Sequence, residues 1–256
     1  MIKITFLGTG TSQGIPVIGS DHPVSFSDDL KDKRLRSSIL IEYKDFNFVI
    51  DCGPDFRQQM LRTKCRKLDA IIFTHEHADH TTGIDDVRPY FFRQGKIPIY
   101  LHERVLNSLH NRFAYIFDPK QKYPGAPDFE VNLITKENDF QILGLNITPI
   151  EAVHYKLPVL GFRLGKFAYL TDVKTISDKE MLKLNGLDTL VINALRYESH
   201  PSHLNIEEAL EIIDQVKPKQ TFFTHISHNM GFHEEVCGSL PKSVSLAFDG
   251  LVLEVD

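Results

Sequence analysis

Short apolar runs recur along this chain, several alternating with polar residues, and they predict a protein built largely on strands. IKITFLG (2–8) is the first. SSILIEY (37–43) and FNFVIDCG (46–53) are split by the turn-like KD and read as a hairpin. DAIIFTH (69–75) is a buried strand ending in a cluster of histidines. IPIYLH (97–102), NITPIEAVH (146–154), GFRLG (161–165), KFAYLTD (166–172), TLVINA (189–194) and KQTFFTHIS (219–227) follow. SVSLAFDG and LVLEVD are expected to close the chain as a β pair. Helical spacing is rarer. Residues 54–64 begin with Pro54 at a helix start, and 103–112 and 175–184 have helical patterns. NIEEALEIIDQV (205–216) is amphipathic, with Ile206, Leu210 and Ile213 on one face and Asn205 as its N-cap.

The two halves share an order, β-hairpins first and βα units after. Two sheets packed face to face with helices outside fit that order, an α+β four-layer αββα sandwich. A doubly wound sheet is the structural rival. With no repeat, low-complexity tract or Gly/Ser/Pro linker, residues 1–256 read as one domain.

Composition narrows the function classes. Apolar residues at 42% and charged residues at 25% suit a globular protein long enough to bury a core. The net charge of −5 has no basic block in it, which argues against a dedicated nucleic-acid binder. A small anionic substrate needs only local positive charge. MIKITFLGTGTS is too short an apolar start for a signal peptide, and no stretch is long enough to span a membrane. Cys52, Cys65 and Cys237 form no CxxC pair, so a reducing, cytoplasmic location is expected.

The chemistry gathers where strands end. His75, His154, Asp172, His200 with His203, and His225 each follow an apolar run closely. FTHEHADHTTGIDD (73–86) is the densest of these stretches, with three histidines and an aspartate in six positions. His75 and His77, two apart, can turn their rings to one side, and Asp79 and His80 lie just beyond. Imidazole and carboxylate suit zinc, iron or manganese. Two ions roughly 3.5 Å apart orient a water and lower its pKa. A single strand-end histidine is usually a polar surface residue, but four metal-competent side chains in six positions make an odd solvated loop. Glu76 separates two ligands and is not read as one. The spacing is also wrong for the helical HExxH zinc-protease site.

His75-Glu76-His77-Ala78-Asp79-His80 resembles the signature of the metallo-β-lactamase-fold hydrolases, and His154, Asp172 and His225 fall in that family's order. The resemblance covers essentially the whole chain. TFLGTGTSQGIP at the start, GIDDVRPY (83–90) and HLNIEEAL (203–210) look like the phosphoribosyl 1,2-cyclic phosphate phosphodiesterase branch, which is related to the tRNA 3′-processing endonucleases. It implies two divalent ions, zinc or manganese. His75, His77 and His154 would hold one, Asp79, His80 and His225 the other, and Asp172 would lie between. Asp79 would also orient the attacking water. His203, or its neighbour His200, would give a proton to the leaving group. The redox members of the superfamily carry an acid where His77 stands, so hydrolysis is expected here.

One loop departs from the branch. GSDHPVSFSD (19–28) has Ser20, His22 and Ser25 where the branch often carries three zinc-binding cysteines, with His228 at the fourth position. Serine is a poor zinc ligand. The loop is therefore expected to be held by hydrogen bonds or packing. For the substrate, Arg88 and Arg196 are candidate phosphate cations, each equally readable as a structural arginine, and Ser12 and Gln13 lie in the first loop. The insert 103–130 is aromatic and mixed in charge, not a basic RNA-gripping arm. A small cyclic phosphodiester is favoured over tRNA. Another ester or thioester, or metal and ligand binding without turnover, are the alternatives. The insert is expected to shape the pocket or a homodimer contact.

Overall fold

The computed structural model describes residues 1–256. Fifteen strands form two sheets. The first runs, in spatial order, β15 (Val252–Val255), β1 (Ile2–Gly8), β2 (Ser38–Tyr43), β3 (Phe46–Ile50), β4 (Ala70–Ile72), β5 (Ile97–Leu101) and β6 (Phe129–Leu133). The second runs β11 (Thr175–Ile176), β8 (Leu145–His154), β9 (Leu157–Leu164), β10 (Phe167–Tyr169), β12 (Thr189–Asn193), β13 (Gln220–Thr224) and β14 (Val244–Leu246), with β7 (Phe140–Ile142) paired to β8. In each sheet antiparallel pairs give way to parallel ones, at β3–β4 in the first and at β10–β12 in the second.

Side-chain alternation sorts these strands into layers. Ile39, Ile41, Phe48, Ile50 and Ile72 point inward and meet Leu160, Phe162, Leu164, Tyr169 and Val191 of the other sheet. Their in-between neighbours Leu40, Val49 and Ile71 point outward onto Phe56, Met60, Val87, Tyr90, Val105 and Leu109 of the helices outside. The second sheet does the same, with Ala168, Leu190 and Ile192 against Leu204, Ile206, Ala209 and Val216. A period of two with both faces buried is what a four-layer αββα sandwich requires. No helix is long and apolar enough to cross a membrane.

The helix Ile206–Val216 has the expected cap. Asn205 accepts from the Glu208 N–H while Glu208 reaches back to the Asn205 N–H. The helix Glu103–Arg112 also lies where its spacing puts it. Other expectations need correction. SVSLAFDG and LVLEVD do not pair with each other: β14 joins β13 in parallel and β15 joins β1 antiparallel, so the chain ends by crossing from one sheet to the other. The helix expected over 175–184 starts only at Asp178, after the edge strand β11, and tightens to a 3-10 turn at Leu182–Leu184. Pro54 precedes the helix Phe56–Thr63 rather than starting it. Short helical turns fill Ala78–Gln94 where no element was expected.

Candidate metal centre

Every residue implied as a ligand follows a strand at one edge of the sandwich. His75 and His77 lie past β4, His154 ends β8, Asp172 follows β10, and His225 follows β13. Three groups of donor atoms form there, each with its atoms within 4.8 Å of one another: His75, His77 and Asp172; Asp79, His80 and His225; and His154, Asp172 and His203. Asp172 belongs to two of them. Its Oδ2 lies 3.1 Å from His80 Nε2, and its Oδ1 lies 3.3 Å from His225 Nε2, 3.8 Å from His203 Nδ1 and 4.0 Å from His154 Nε2. Asp79 Oδ2 is 3.3 Å from His80 Nε2 and 3.5 Å from His225 Nε2.

The backbone is bent to bring these side chains together. Asp51, Asp172 and His225 all have positive φ, at 67°, 58° and 55°, which non-glycine residues adopt reluctantly. Strain of this kind collects at functional sites. Two of the bends have visible supports. The side chain of Asn193 accepts from Val173 N–H at 2.6 Å and donates to Val173 O at 3.0 Å, which fixes the chain just after Asp172. The Thr11 N–H donates to Ile226 O, which ties the first loop to the residue after His225.

A second ring of contacts aims the histidines. His80 Nδ1 faces Asp51 at 2.7 Å, His154 Nδ1 faces Ser202 O at 2.7 Å, and His75 Nδ1 faces Thr74 Oγ1 at 2.9 Å. In all three the Nδ1 side is engaged and the Nε2 side is turned to the centre. His75 Nε2, His80 Nε2 and both ring nitrogens of His225 are buried without a hydrogen-bond partner. A buried polar atom left unpaired is costly, so this arrangement needs an occupant. Imidazole and carboxylate donors converging at this spacing suit divalent ions. Burial works to push His80 down, but Asp79, Asp172 and Asp51 outweigh it and hold its pKa well above the usual value. Burial likewise works to raise Asp172, and His225 and His80 bring it far down.

The remaining expectations separate. His203 is buried, its ring 4.5 Å from that of His154 and 4.8 Å from that of His225. His200 lies farther out, 5.1 Å from His203, with its Nδ1 accepting from the Ser202 N–H. Arg88 is spent elsewhere: one of its nitrogens sits 2.5 and 2.6 Å from the two oxygens of Asp85, and its guanidinium lies over Tyr123. These contacts fit the structural reading of the two left open for it. Arg196 donates to Glu198 O and Ser199 O, bracing the loop that carries His200 and His203. Ser12 is exposed beside the Thr11–Ile226 contact, at the rim. The loop 19–28 is held as expected, by hydrogen bonds such as His22 N–H to Ser20 Oγ and Val24 N–H to His22 Nδ1, and His22 packs edge-on against His228.

Glu76 has a role that motif reading does not supply. Its carboxylate accepts from Arg104 Nε at 2.7 Å, and its carbonyl accepts from Arg112 at 2.8 Å. Arg104 also donates to Pro158 O, and Arg112 to Thr81 Oγ1. The insert 103–130 therefore fastens the histidine loop, and its end forms the edge strand β6. Asp51, Thr74, Asn193 and Ser202 are the other supports. Only Asp51 left a trace in the sequence, as an acid at the end of an apolar run, like Asp172.

A β-lactamase superfamily domain model matches residues 46–226, most of the chain and all of the ligand set. The chain belongs to the β-lactamase superfamily. Its two packed mixed sheets with outer helices are the metallo-β-lactamase fold of that superfamily. The crystal structure of a diphosphatase from the PhnP family superposes with a TM-score of 0.93 at 39% identity, covering 100% of this chain and 98% of that one. The octanoyltransferase of Porphyromonas gingivalis is 38% identical over 257 residues, 100% of this chain. The chain spans about half the length of that relative, 52%. A ribonuclease Z of Anoxybacillus flavithermus is 20% identical over 314 residues, 100% of this chain and 96% of that protein. The chain thus carries, within a superfamily domain, three groups of side chains able to hold metal ions.

Proposed function

We propose that this protein is a metal-dependent hydrolase that cleaves small phosphodiesters, cyclic ones included, with two divalent ions, zinc or manganese. The observation that carries the reading is the set of orphaned Nε2 atoms of His75, His80 and His225, among three adjacent donor groups of which two share the buried carboxylate of Asp172. His75, His77 and His154 would hold one ion, and Asp79, His80 and His225 the second, with Asp172 shared. Bound there, the ions would supply a nucleophile at neutral pH and charge for a developing phosphorane. Asp79, the less enclosed of the two central acids, would orient the water. The likeness to a PhnP-family diphosphatase over the full length of both chains supports phosphorus as the centre attacked.

His203 is favoured over His200 as proton donor to the leaving oxygen, being buried and in contact with both His154 and His225. Burial, then His225, pushes its pKa down to about 2. A donor must hold a proton, and an anionic phosphodiester beside the ring opposes that depression.

A second reading, an ester or thioester hydrolase, draws on the relative named for octanoyl transfer. The tRNA-processing reading draws on the ribonuclease Z match and lacks a basic arm, since the insert is committed to clamping Glu76. The test is a panel of phosphodiesters, an octanoyl thioester and a tRNA precursor, each with manganese or zinc, run beside His203→Ala and Asp79→Ala. Phosphodiester turnover lost in both variants is expected. Turnover of the thioester or the tRNA alone would overturn the proposal.

A further inference from the structure

Beside the donor groups lies a cleft of about 610 Å³. His77 and His154 border it on the centre's side. One wall is the hairpin turn Tyr155–Lys156 with Leu157, and the other is Pro201–Ser202. The hydrogen bond between His154 Nδ1 and Ser202 O joins the two walls at 2.7 Å. The cleft is therefore built by the same segments that deliver His154 and His203, and its volume is that of a small-ligand site.

The turn is unusual for its sequence. β8 and β9 pair His154 with Leu157, which leaves two residues to reverse the chain. Such turns place positive φ at the first central residue, and glycine is the residue that meets it without strain. Here it is Tyr155, at φ 59°, with 62% of its surface exposed. The ring is not buried in any core, so packing does not repay the strained backbone. Lys156 beside it has its ammonium 5.3 Å from the centre of the Tyr155 ring. It is the one cationic side chain lining this cleft.

We propose that Tyr155 and Lys156 select the substrate, and that the substrate is a nucleotide: its base stacks on Tyr155 and phosphate charge faces Lys156. The inference rests on the phosphodiesterase reading and narrows it. An aromatic ring held at a cleft mouth beside an ammonium matches a planar base joined to an anion, and base–aromatic stacking is insensitive to which base is present. A small sugar phosphate without a base would leave the ring unused.

The experiment compares two diesters with one leaving group, thymidine 5′-(p-nitrophenyl) phosphate and methyl p-nitrophenyl phosphate, on the metal-loaded protein. A lower KM for the thymidine ester is expected. Tyr155→Ala and Tyr155→Gly should raise KM for the thymidine ester about tenfold more than for the methyl ester, while Tyr155→Phe keeps the preference. Lys156→Ala should weaken both esters. AMP binding is titrated in parallel by calorimetry and should fall about tenfold in Tyr155→Ala. Hydrolysis of both esters with no preference, or equal loss in Tyr155→Ala, overturns the inference and leaves the phosphodiesterase reading standing. If neither ester is hydrolysed, that reading fails, and the AMP titration alone decides whether the cleft takes a nucleotide.

Discussion

The Nδ1 of His80 lies 2.7 Å from Oδ2 of Asp51, and both side chains are wholly buried. Asp51 is itself fixed, accepting the Thr74 N–H at 2.9 Å and the Thr74 hydroxyl at 2.8 Å. The pair turns the free nitrogen of His80 onto Asp79 and Asp172. A carboxylate behind a ligating imidazole fixes its tautomer and raises its basicity. Asp51→Asn keeps the shape and tolerates the positive φ, because asparagine enters that region readily. We expect one of two bound ions to be held about 10–100-fold more weakly, with little change in the other. Calorimetric titration of manganese or zinc checks this. Two sites of native affinity would show that Asp51 only fills space.

Gly53 lies where two site loops touch. A Cβ placed there would come 2.0 Å from the Asp79 carbonyl oxygen, and the contact is to backbone, so nothing flexible can yield. The neighbouring hydrogen bonds, Cys52 N–H to His80 O and Gly83 N–H to Cys52 O, hold the same approach. Gly53→Ala should displace the Asp79–His80 segment, lower stability by about 1–3 kcal/mol and weaken metal binding together. Urea unfolding with metal titration on one preparation reads both. A variant as stable as wild type with native metal affinity would refute the close approach.

The layers of the fold were legible because alternation in segments such as SSILIEY and FNFVI has a direct counterpart in Ile39 and Ile41 facing in and Leu40 facing out. The last two strands misled because SVSLAF and LVLEVD look like a hairpin. Period-two alternation shows that a strand exists, not which sheet receives it. The convergence of His75, His77, Asp79 and His80 was legible from residue type and spacing, while His154, Asp172 and His225 were assigned as ligands through the family resemblance. Their supports were not legible: Ser202 acts through its carbonyl, Asn193 through an amide that reads as ordinary strand, and Glu76 through two arginines distant in sequence. Arg88 stayed open between two readings because a charge beside an aromatic looks the same whether it faces a substrate or Asp85.

Arg104 joins Glu76, between His75 and His77, to Pro158, just past the turn after His154. The contact thus sets the distance between two of the segments proposed to hold one ion. Arg104→Met removes the guanidinium and keeps most of the stem. We expect weaker binding of that ion and a fall in kcat exceeding any rise in KM, since positioning rather than substrate contact is lost. Lysine has no planar fork, so Arg104→Lys should restore only part of it. A change in thermal stability alone, with metal affinity and kcat intact, would make the contact merely structural.

His233 gives a pH dependence remote from the donor groups. Its Nδ1 faces the buried Arg34 guanidinium at 3.2 Å and so accepts, which leaves the ring neutral with Nε2 toward Cys237. Burial first, and then Arg34, lower its pKa to about 4 from the ordinary 6.5. The unfolded chain takes up this proton near pH 6.5 and the folded protein only near 4, so between those values the unfolded state binds more protons. The contribution to stability is full above about pH 6.5 and drains away as pH falls toward about 4. At pH 5 the loss from this residue is about 2 kcal/mol. His233→Gln cannot ionise and can still accept from Arg34. Its unfolding free energy should therefore fall less than wild type between pH 7.5 and 5, by about that amount, in urea titrations at matched metal loading. Parallel curves for the two proteins would place the proton elsewhere.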